Sequence, residues 1–272
     1  SPTTANIKAG GVAFYNRGNI GSEFNFLNMI NGNGLTLNML SGSRLFVFDD
    51  PGIIQNLSSI PSPGGVSSLA NSAGTATIIV GGTDYKYMTA NKATLNIDQN
   101  VNLDSSIDNY YKVDFFSSNV NVGTLSSAIM TNNGNPIANS LKYAIAQKNA
   151  DTNASSLTVD VKSTGQIRLT NQTGLVGVIT DRGKIINNGI VESSGESGIG
   201  ILGSNGSIVT NNNSLIIGNG GAGIIGINTL DNPVTTSTTF GNIDLTNNGT
   251  ITYAPTSGTA LPSYGIVAKN DN

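Results

Sequence analysis

The dipeptide Asn-Asn recurs at a fixed address in the second half of the chain. It stands at Asn187-Asn188, Asn211-Asn212 and Asn247-Asn248, each followed within three residues by Ile or Leu. Asn187 and Asn211 are 24 residues apart, Gly183 and Gly206 are 23, Gly174 and Gly198 are 24, and Gly198 and Gly223 are 25. A fixed period of this length marks stacked copies of one supersecondary unit, none of which buries its apolar face alone.

The repeating template is an apolar strand of the form Gly-Ile-x-x-Ile, a polar turn, Gly-x-Ile, then Asn-Asn-(Gly/Asn)-x and an aliphatic residue. It fits Gly174–Val191, Gly198–Ile216, Gly223–Thr229 resumed at Gly241–Ile251, and a further copy from Gly265. The interval Asn211 to Asn247 is 36 residues, which places an insertion at Asn228–Phe240. A period near 24 is too short for a propeller blade of about 40–45 residues, and the leucine spacing of a leucine-rich repeat is absent. The Ile- and Thr-rich segments are strand formers, and Gly and Asn supply the turns between them. Three short strands and three turns make one coil of about 24 residues, each coil roughly 4.8 Å above the last. The expected fold is all-β, a right-handed parallel β-helix with loop and short helical insertions.

Alternation along such strands assigns Ile190, Ile199, Ile201, Ile208, Ile216, Ile225 and Ile227 to aliphatic core columns. The Asn pairs fall at one turn. There Asn tolerates the left-handed backbone region, and amides stacked from coil to coil form hydrogen-bonded ladders. Asn187, Asn188, Asn211, Asn212, Asn247 and Asn248 are therefore expected as structural turn and ladder residues. Gly189 and Gly249 are expected to supply a positive φ beside them.

The first half is less regular. Gly10–Asn19, Gly34–Leu40, Ser43–Asp50, Gly74–Met88 and Lys92–Asp104 read as short strands. Phe14, Phe24, Phe26, Phe46, Phe48, Phe115 and Phe116 are expected to fill an irregular core. The Ser/Pro/Gly-rich Gln55–Gly74 reads as a loop. Asn135–Asp151 carries Ile137, Leu141, Ala144, Ile145 and Lys148 at helical spacing after Pro136 and predicts a helix. Ser22–Ile30 predicts another. The resulting organisation is irregular coils over 1–124 with a loop at 55–74, a loop or helical insertion at 125–151, and regular coils over 152–272, cut short at the C-terminus.

Composition narrows the chemistry. Charged residues are 11% of the chain, against about 25% in an average globular protein, and net charge is −3. Neither a basic stripe for nucleic acid nor a Lys/Arg cluster for anionic lipid is present. The chain has no His and no Cys, which removes the commonest general base and the commonest transition-metal ligand. No apolar run reaches the length of a transmembrane helix. With 38 Asn and 34 Gly, polarity comes from uncharged side chains.

A glycosidase needs two carboxylates about 5–9.5 Å apart across a sugar bond. The candidates are Asp49, Asp50, Asp98, Asp104, Asp108, Asp114, Asp181, Glu192 and Glu196. Asp49 and Asp50 precede Pro51-Gly52 and read as turn formers. The Asp98–Asp114 series has only Lys112 as a basic neighbour. Gly218–Ile224 lacks the Asp of a calcium-binding nonapeptide and sits inside the repeat, where no nucleotide-binding strand-to-helix turn belongs. Asp181–Lys184 reads as a solvated turn. No catalytic, cofactor-binding or metal residue emerges, and the chain is expected to be non-enzymatic.

The segments INNGIV (Ile186–Val191), LTNNGTI (Leu245–Ile251), SGIGILGSNGSI (Ser197–Ile208) and SYGIVAKN (Ser263–Asn270) resemble the passenger regions of large autotransporter adhesins, especially the fusobacterial outer-membrane type. Gly10–Gly18 and Gly42–Gly52 look like segments of the same group. The resemblance implies a type V secreted passenger on the bacterial cell surface, a β-helical stalk, and a role in coaggregation or host attachment. It implies a surface receptor, protein or glycan, as partner, with no nucleic acid, no cofactor and no membrane contact by this monomeric segment. Gln55–Gly74, Asn135–Asp151 and Thr229–Phe240 are the expected binding loops. The alternative is a β-helical carbohydrate-active enzyme or a tailspike-like glycan-binding protein.

Overall fold

The computed structural model describes residues 3–17, 35–49, 53–55, 66–71, 74–80, 86–98, 100–102, 113–116, 118–132, 143–147, 157–170, 172–228, 242–255, 258 and 260–270. Among them every regular element is a strand. In chain order these are β1 (Thr3–Ile7), β2 (Val12–Arg17), β3 (Leu35–Met39), β4 (Arg44–Asp49), β5 (Ile53–Gln55), β6 (Val66–Asn71), β7 (Gly74–Val80), β8 (Lys86–Asn91), β9 (Thr94–Ile97), β10 (Val101–Asn102) and β11 (Val113–Phe116). They continue as β12 (Asn119–Val122), β13 (Ala128–Thr131), β14 (Tyr143–Ala146), β15 (Thr158–Val161), β16 (Gly165–Leu169), β17 (Val176–Asp181), β18 (Lys184–Asn187) and β19 (Ile190–Ser193). The last are β20 (Ile199–Ser204), β21 (Ile208–Asn211), β22 (Ser214–Ile217), β23 (Ala222–Asn228), β24 (Asp244–Asn247), β25 (Thr250–Tyr253) and β26 (Tyr264–Asn270).

Two compact units divide the chain: Ser1–Leu95 with Tyr111–Phe115, and Asn96–Tyr110 with Phe116–Asn272. The first holds two four-stranded sheets, in the orders β1-β3-β7-β6 and β11-β8-β4-β2. Leu37, Met39, Leu45, Phe46, Phe48 and Ile78 are its buried centre. Phe46 stacks on Phe14 at 5.3 Å and on Phe48 at 5.9 Å, within the range favoured for aromatic pairs. The expected filling role thus holds for Phe46 and Phe48. Phe24 and Phe26, like the side chains of Phe115 and Phe116, lie outside the described residues. The expected loop Gln55–Gly74 contains strand β6, antiparallel to β7. Its Ser-rich sequence hid a strand whose partner, Gly74–Val80, follows almost directly.

In the second unit every described pairing is parallel. Successive strands visit three sheets in turn. One sheet runs β9-β12-β15-β18-β21-β24, the second β10-β13-β16-β19-β22-β25, the third β14-β17-β20-β23-β26. From β12 onward the chain completes five such triplets, an arrangement compatible with a parallel β-helix.

Register stacks aliphatic inward columns that run through all five triplets, one in each sheet. These are Val120–Val159–Ile185–Val209–Leu245, Met130–Ile167–Val191–Leu215–Ile251, and Ile145–Val178–Ile201–Ile224–Ile266. Each fully buried aliphatic side chain contributes about 1.5–3 kcal/mol. The column assignment made from sequence is corrected here. Of the seven Ile residues expected inside, Ile201 alone is fully buried. Ile190, Ile199, Ile216, Ile225 and Ile227 are half-buried, and Ile208 is 43% exposed. Their neighbours Val191, Val209, Leu215 and Ile224 take the inward places. A shift of one residue moves a strand's whole apolar set to the other face.

The reason lies in a column of inward glycines. A Cβ at Gly177 would lie 2.5 Å from Gly200 O and 2.6 Å from Val191 Cγ1. One at Gly200 would lie 2.7 Å from Gly223 O, and one at Gly223 2.7 Å from both Gly265 O and Ile251 Cγ2. Gly177 and Gly223 thus clear space for Val191 and Ile251 across the core, and Gly200 makes way for the carbonyl of Gly223. The expected helix over Asn135–Asp151 is also corrected. It contains β14, whose Ala144 and Ile145 are buried and which pairs with β17. Parallel pairing with a distant strand overrides the local spacing. Ser22–Ile30 lies outside the described residues.

Candidate functional site

The Asn-Asn turns come together as two parallel ladders. β18, β21 and β24 each end on the first Asn of a pair, and register places Asn187 under Asn211 and Asn211 under Asn247. Val122 and Val161 occupy the same register position in the two strands before them. The inner ladder therefore begins where valine gives way to Asn.

Asn187 Nδ2 donates to Asn211 Oδ1 at 2.8 Å, and Asn211 Nδ2 donates to Asn247 Oδ1 at 2.7 Å. Asn187 and Asn211 are fully buried. Their nitrogens also reach backbone carbonyls, Ser214 O at 3.1 Å and Asn213 O at 3.2 Å. A carbonyl only accepts, so those contacts fix which end of each amide is nitrogen. At the start of the ladder Gly189 N donates to Asn187 Oδ1 at 3.2 Å, and at its end Asn247 Nδ2 donates to Gly249 O at 3.3 Å. The amides are committed to protein partners, as buried polar groups must be to avoid a penalty of about 1–3 kcal/mol each.

The outer ladder donates in the opposite direction. Asn248 Nδ2 donates to Asn212 Oδ1 at 3.0 Å, Asn212 Nδ2 to Asn188 Oδ1 at 3.0 Å, and Asn188 Nδ2 to Asp160 Oδ1 at 3.3 Å. Asp160 is an acceptor-only terminus, which fixes this direction, and it also pairs with Lys162. Asn212 and Asn248 are exposed.

The adjoining glycines work differently from expectation. Gly189 and Gly249 do not adopt positive φ, and neither do the paired asparagines. The requirement is closeness: a Cβ at Gly189 would lie 2.2 Å from Gly165 O, and one at Gly249 2.0 Å from Asn213 O. The left-handed places belong to other turns, where Gly174, Ser197 and Gly220 share one register position at φ 71°, 56° and 68°. Arg182 and Asn205 share another, at 57° and 51°.

Asp49, Asp98, Asp181 and Glu192 are each held by hydrogen bonds or ion pairs to nearby residues. Asp49 accepts from Tyr15 Oη at 3.0 Å and Asn91 Nδ2 at 2.8 Å. That hydrogen bond, with exclusion of solvent and the nearby negative charge, raises the Tyr15 phenol above its ordinary value. Buried Asp98 accepts from the backbone N–H of Leu125 at 2.8 Å and of Ser126 at 3.4 Å. Asp181 accepts from Asn205 Nδ2 at 2.9 Å and lies beside Arg182. Glu192 pairs with Arg168 and accepts from Ser194 Oγ. Glu196 is exposed. Asp50, Asp104 and Asp108, and the side chain of Asp114, lie outside the described residues. Among the described residues no three His, Cys, Asp or Glu side chains are grouped to hold a metal, and no helix is long and apolar enough to cross a membrane.

Of the expected binding loops, Gln55–Gly74 and Asn135–Asp151 contain β6 and β14, and Thr229–Phe240 lies outside the described residues. Sequence reading missed the column Gly177–Gly200–Gly223, whose interval of 23 residues was the available signal, and the terminal acceptor Asp160, which no repeat marks. No protein-family model matches the chain, and no curated protein or solved structure matches it either.

Proposed function

We propose that the chain is a non-catalytic, rigid segment of a bacterial surface adhesin, a right-handed parallel β-helix that holds binding loops away from the cell. The observation that carries this reading is the pair of oppositely directed amide ladders along one edge of three in-register parallel sheets. Five triplets stacked by backbone pairing, aliphatic columns and side-chain amides make a rod that resists bending along its axis. Right-handed crossover is favoured because connections between parallel strands of one sheet take that hand in about 98% of cases. The absence of Cys suits a chain that crosses a membrane unfolded and then folds triplet by triplet. The partner on this reading is a protein or glycan receptor on other bacteria or host cells.

The test is a cell-binding assay with the purified, fluorescently labelled chain. Thr229–Phe240 is the first segment to replace with a short Gly/Ser linker, because β6 and β14 lie inside the other two. Saturable binding that falls on this replacement, at unchanged thermal stability, supports the reading. A chain that shows no saturable binding to any bacterial or host cell contradicts it.

A further inference from the structure

Asn followed by Gly is the dipeptide most prone to lose its side-chain amide, because a glycine without Cβ leaves the next backbone nitrogen open to attack the Asn carbonyl carbon. Among the described residues it occurs at Asn188-Gly189, Asn205-Gly206, Asn219-Gly220 and Asn248-Gly249. The attack starts with loss of the glycine N–H proton, so a hydrogen bond that holds this N–H opposes it. The four sites differ in that bond.

Gly189 N donates to Asn187 Oδ1 at 3.2 Å, and Gly249 N donates to Asn211 O at 3.1 Å. In both ladder turns, then, an inner-ladder residue holds the glycine N–H. Gly220 N donates to Ser263 Oγ at 3.0 Å, and Asn219 is itself buried and accepts from Tyr253 Oη and Leu261 N. Gly206 N donates to no acceptor among the described residues. Its turn explains why. Ser207 N donates to Ser204 O at 3.2 Å and closes a four-residue turn whose central residues, Asn205 and Gly206, have φ of 51° and 85°. Two positive φ values mark a type I′ turn, for which Asn-Gly is a preferred pair. The closing bond of that turn does not use the N–H of Gly206.

We propose that Asn205 is a modification site, the first of these four residues to deamidate in the folded chain. The Gly206 nitrogen, its proton taken by hydroxide, forms a bond to Asn205 Cγ. The Cγ–Nδ2 bond breaks, and the amide leaves as ammonia with a proton from water. A further water opens the resulting succinimide ring at either carbonyl, giving Asp or isoaspartate at position 205. No oxidant or reductant takes part. Asn205 Nδ2 donates to Asp181 Oδ1 at 2.9 Å, so the product sets a carboxylate against a carboxylate. The isoaspartate form also adds a backbone methylene to a turn anchored by Asn205 N to Ile227 O at 3.1 Å. The modification loosens this turn and leaves the amides of both Asn ladders unchanged.

The full chain is incubated under mildly alkaline conditions, and conversion at each site is followed by peptide mapping with mass spectrometry. Asn205 is expected to convert at least about tenfold faster than Asn188, Asn219 or Asn248, because those sites must first open locally. In concentrated urea the four rates are expected to fall within about threefold of one another, since the hydrogen bonds that separate them are gone. Asn205→Gln, which requires a six-membered ring, is expected to abolish conversion at that position and to leave the other three rates unchanged. Conversion of exposed Asn248 as fast as Asn205 in the folded chain, or no conversion at Asn205, overturns the proposal. A lead for Asn205 that persists undiminished in urea also overturns it, by assigning the difference to sequence alone.

Discussion

The side-chain amide of Asn187 donates to Asn211 Oδ1 across 2.8 Å, with both residues fully buried. Two polar groups thus occupy a core position that valine fills in Val122 and Val161. The arrangement holds because each amide also finds backbone partners, so none is left with an unmet bond in a low-dielectric interior.

Asn211→Leu is expected to destabilise the chain by about 1–3 kcal/mol, the cost of removing the partner of the buried Asn187 amide. Asn212→Leu, at an exposed place on the outer ladder, is expected to change stability by about 0.5 kcal/mol or less. Urea unfolding of the two variants measures the difference. Equal effects would mean that burial of the inner ladder does not matter.

Gly177→Ala and Gly174→Ala separate closeness from backbone conformation. The first puts a Cβ 2.5 Å from Gly200 O, and is expected to cost about 3 kcal/mol or prevent folding. The second meets nothing within 4 Å but sits at φ 71°, a left-handed position costing about 1–2 kcal/mol for a residue with a Cβ. Denaturant midpoints of the two proteins give the ranking.

Val209→Ala is expected to cost about 2 kcal/mol through lost burial and a residual cavity. Ile208→Ala, one position earlier on an outward face, is expected to cost about 0.5 kcal/mol or less. If thermal unfolding gave the larger loss to Ile208→Ala, the strand register described for β21 would be wrong.

The neighbouring pair illustrates what the sequence carried and what it did not. The period was legible because Asn and Gly act locally at turns, and the ladder residues followed from that period. Strand face was not legible, because aliphatic residues stand side by side at Ile190-Val191, Ile208-Val209 and Leu215-Ile216-Ile217. Alternation cannot choose between two apolar faces. The choice is made across the core, where Gly177 and Gly223 leave room for Val191 and Ile251. Tyr143–Ala146 was misread for a related reason: its strand partner, β17, lies some thirty residues on. Gly189 was located correctly and explained wrongly, since what demands glycine there is the carbonyl of Gly165 in the neighbouring strand β16 rather than its own φ.

Asp49→Asn is expected to bring the Tyr15 phenol back down toward its ordinary pKa by removing the carboxylate that accepts its proton in a hydrogen bond. The sign for stability follows. The folded-state pKa is raised, so the contribution is fully present below the ordinary phenol pKa and is lost as pH rises through the folded value. Phenolate absorbance of Tyr15, compared between the parent chain and Asp49→Asn, measures the shift.

The most direct test of the account is hydrogen exchange at the Asn side-chain amides, followed by NMR in the intact chain. The account predicts that the Nδ2 protons of Asn187 and Asn211 exchange at least about a hundredfold more slowly than those of exposed Asn248, because opening them requires part of the stack to separate. Exchange of all three at the rate of a free amide would contradict the ladders, and with them the proposed rod.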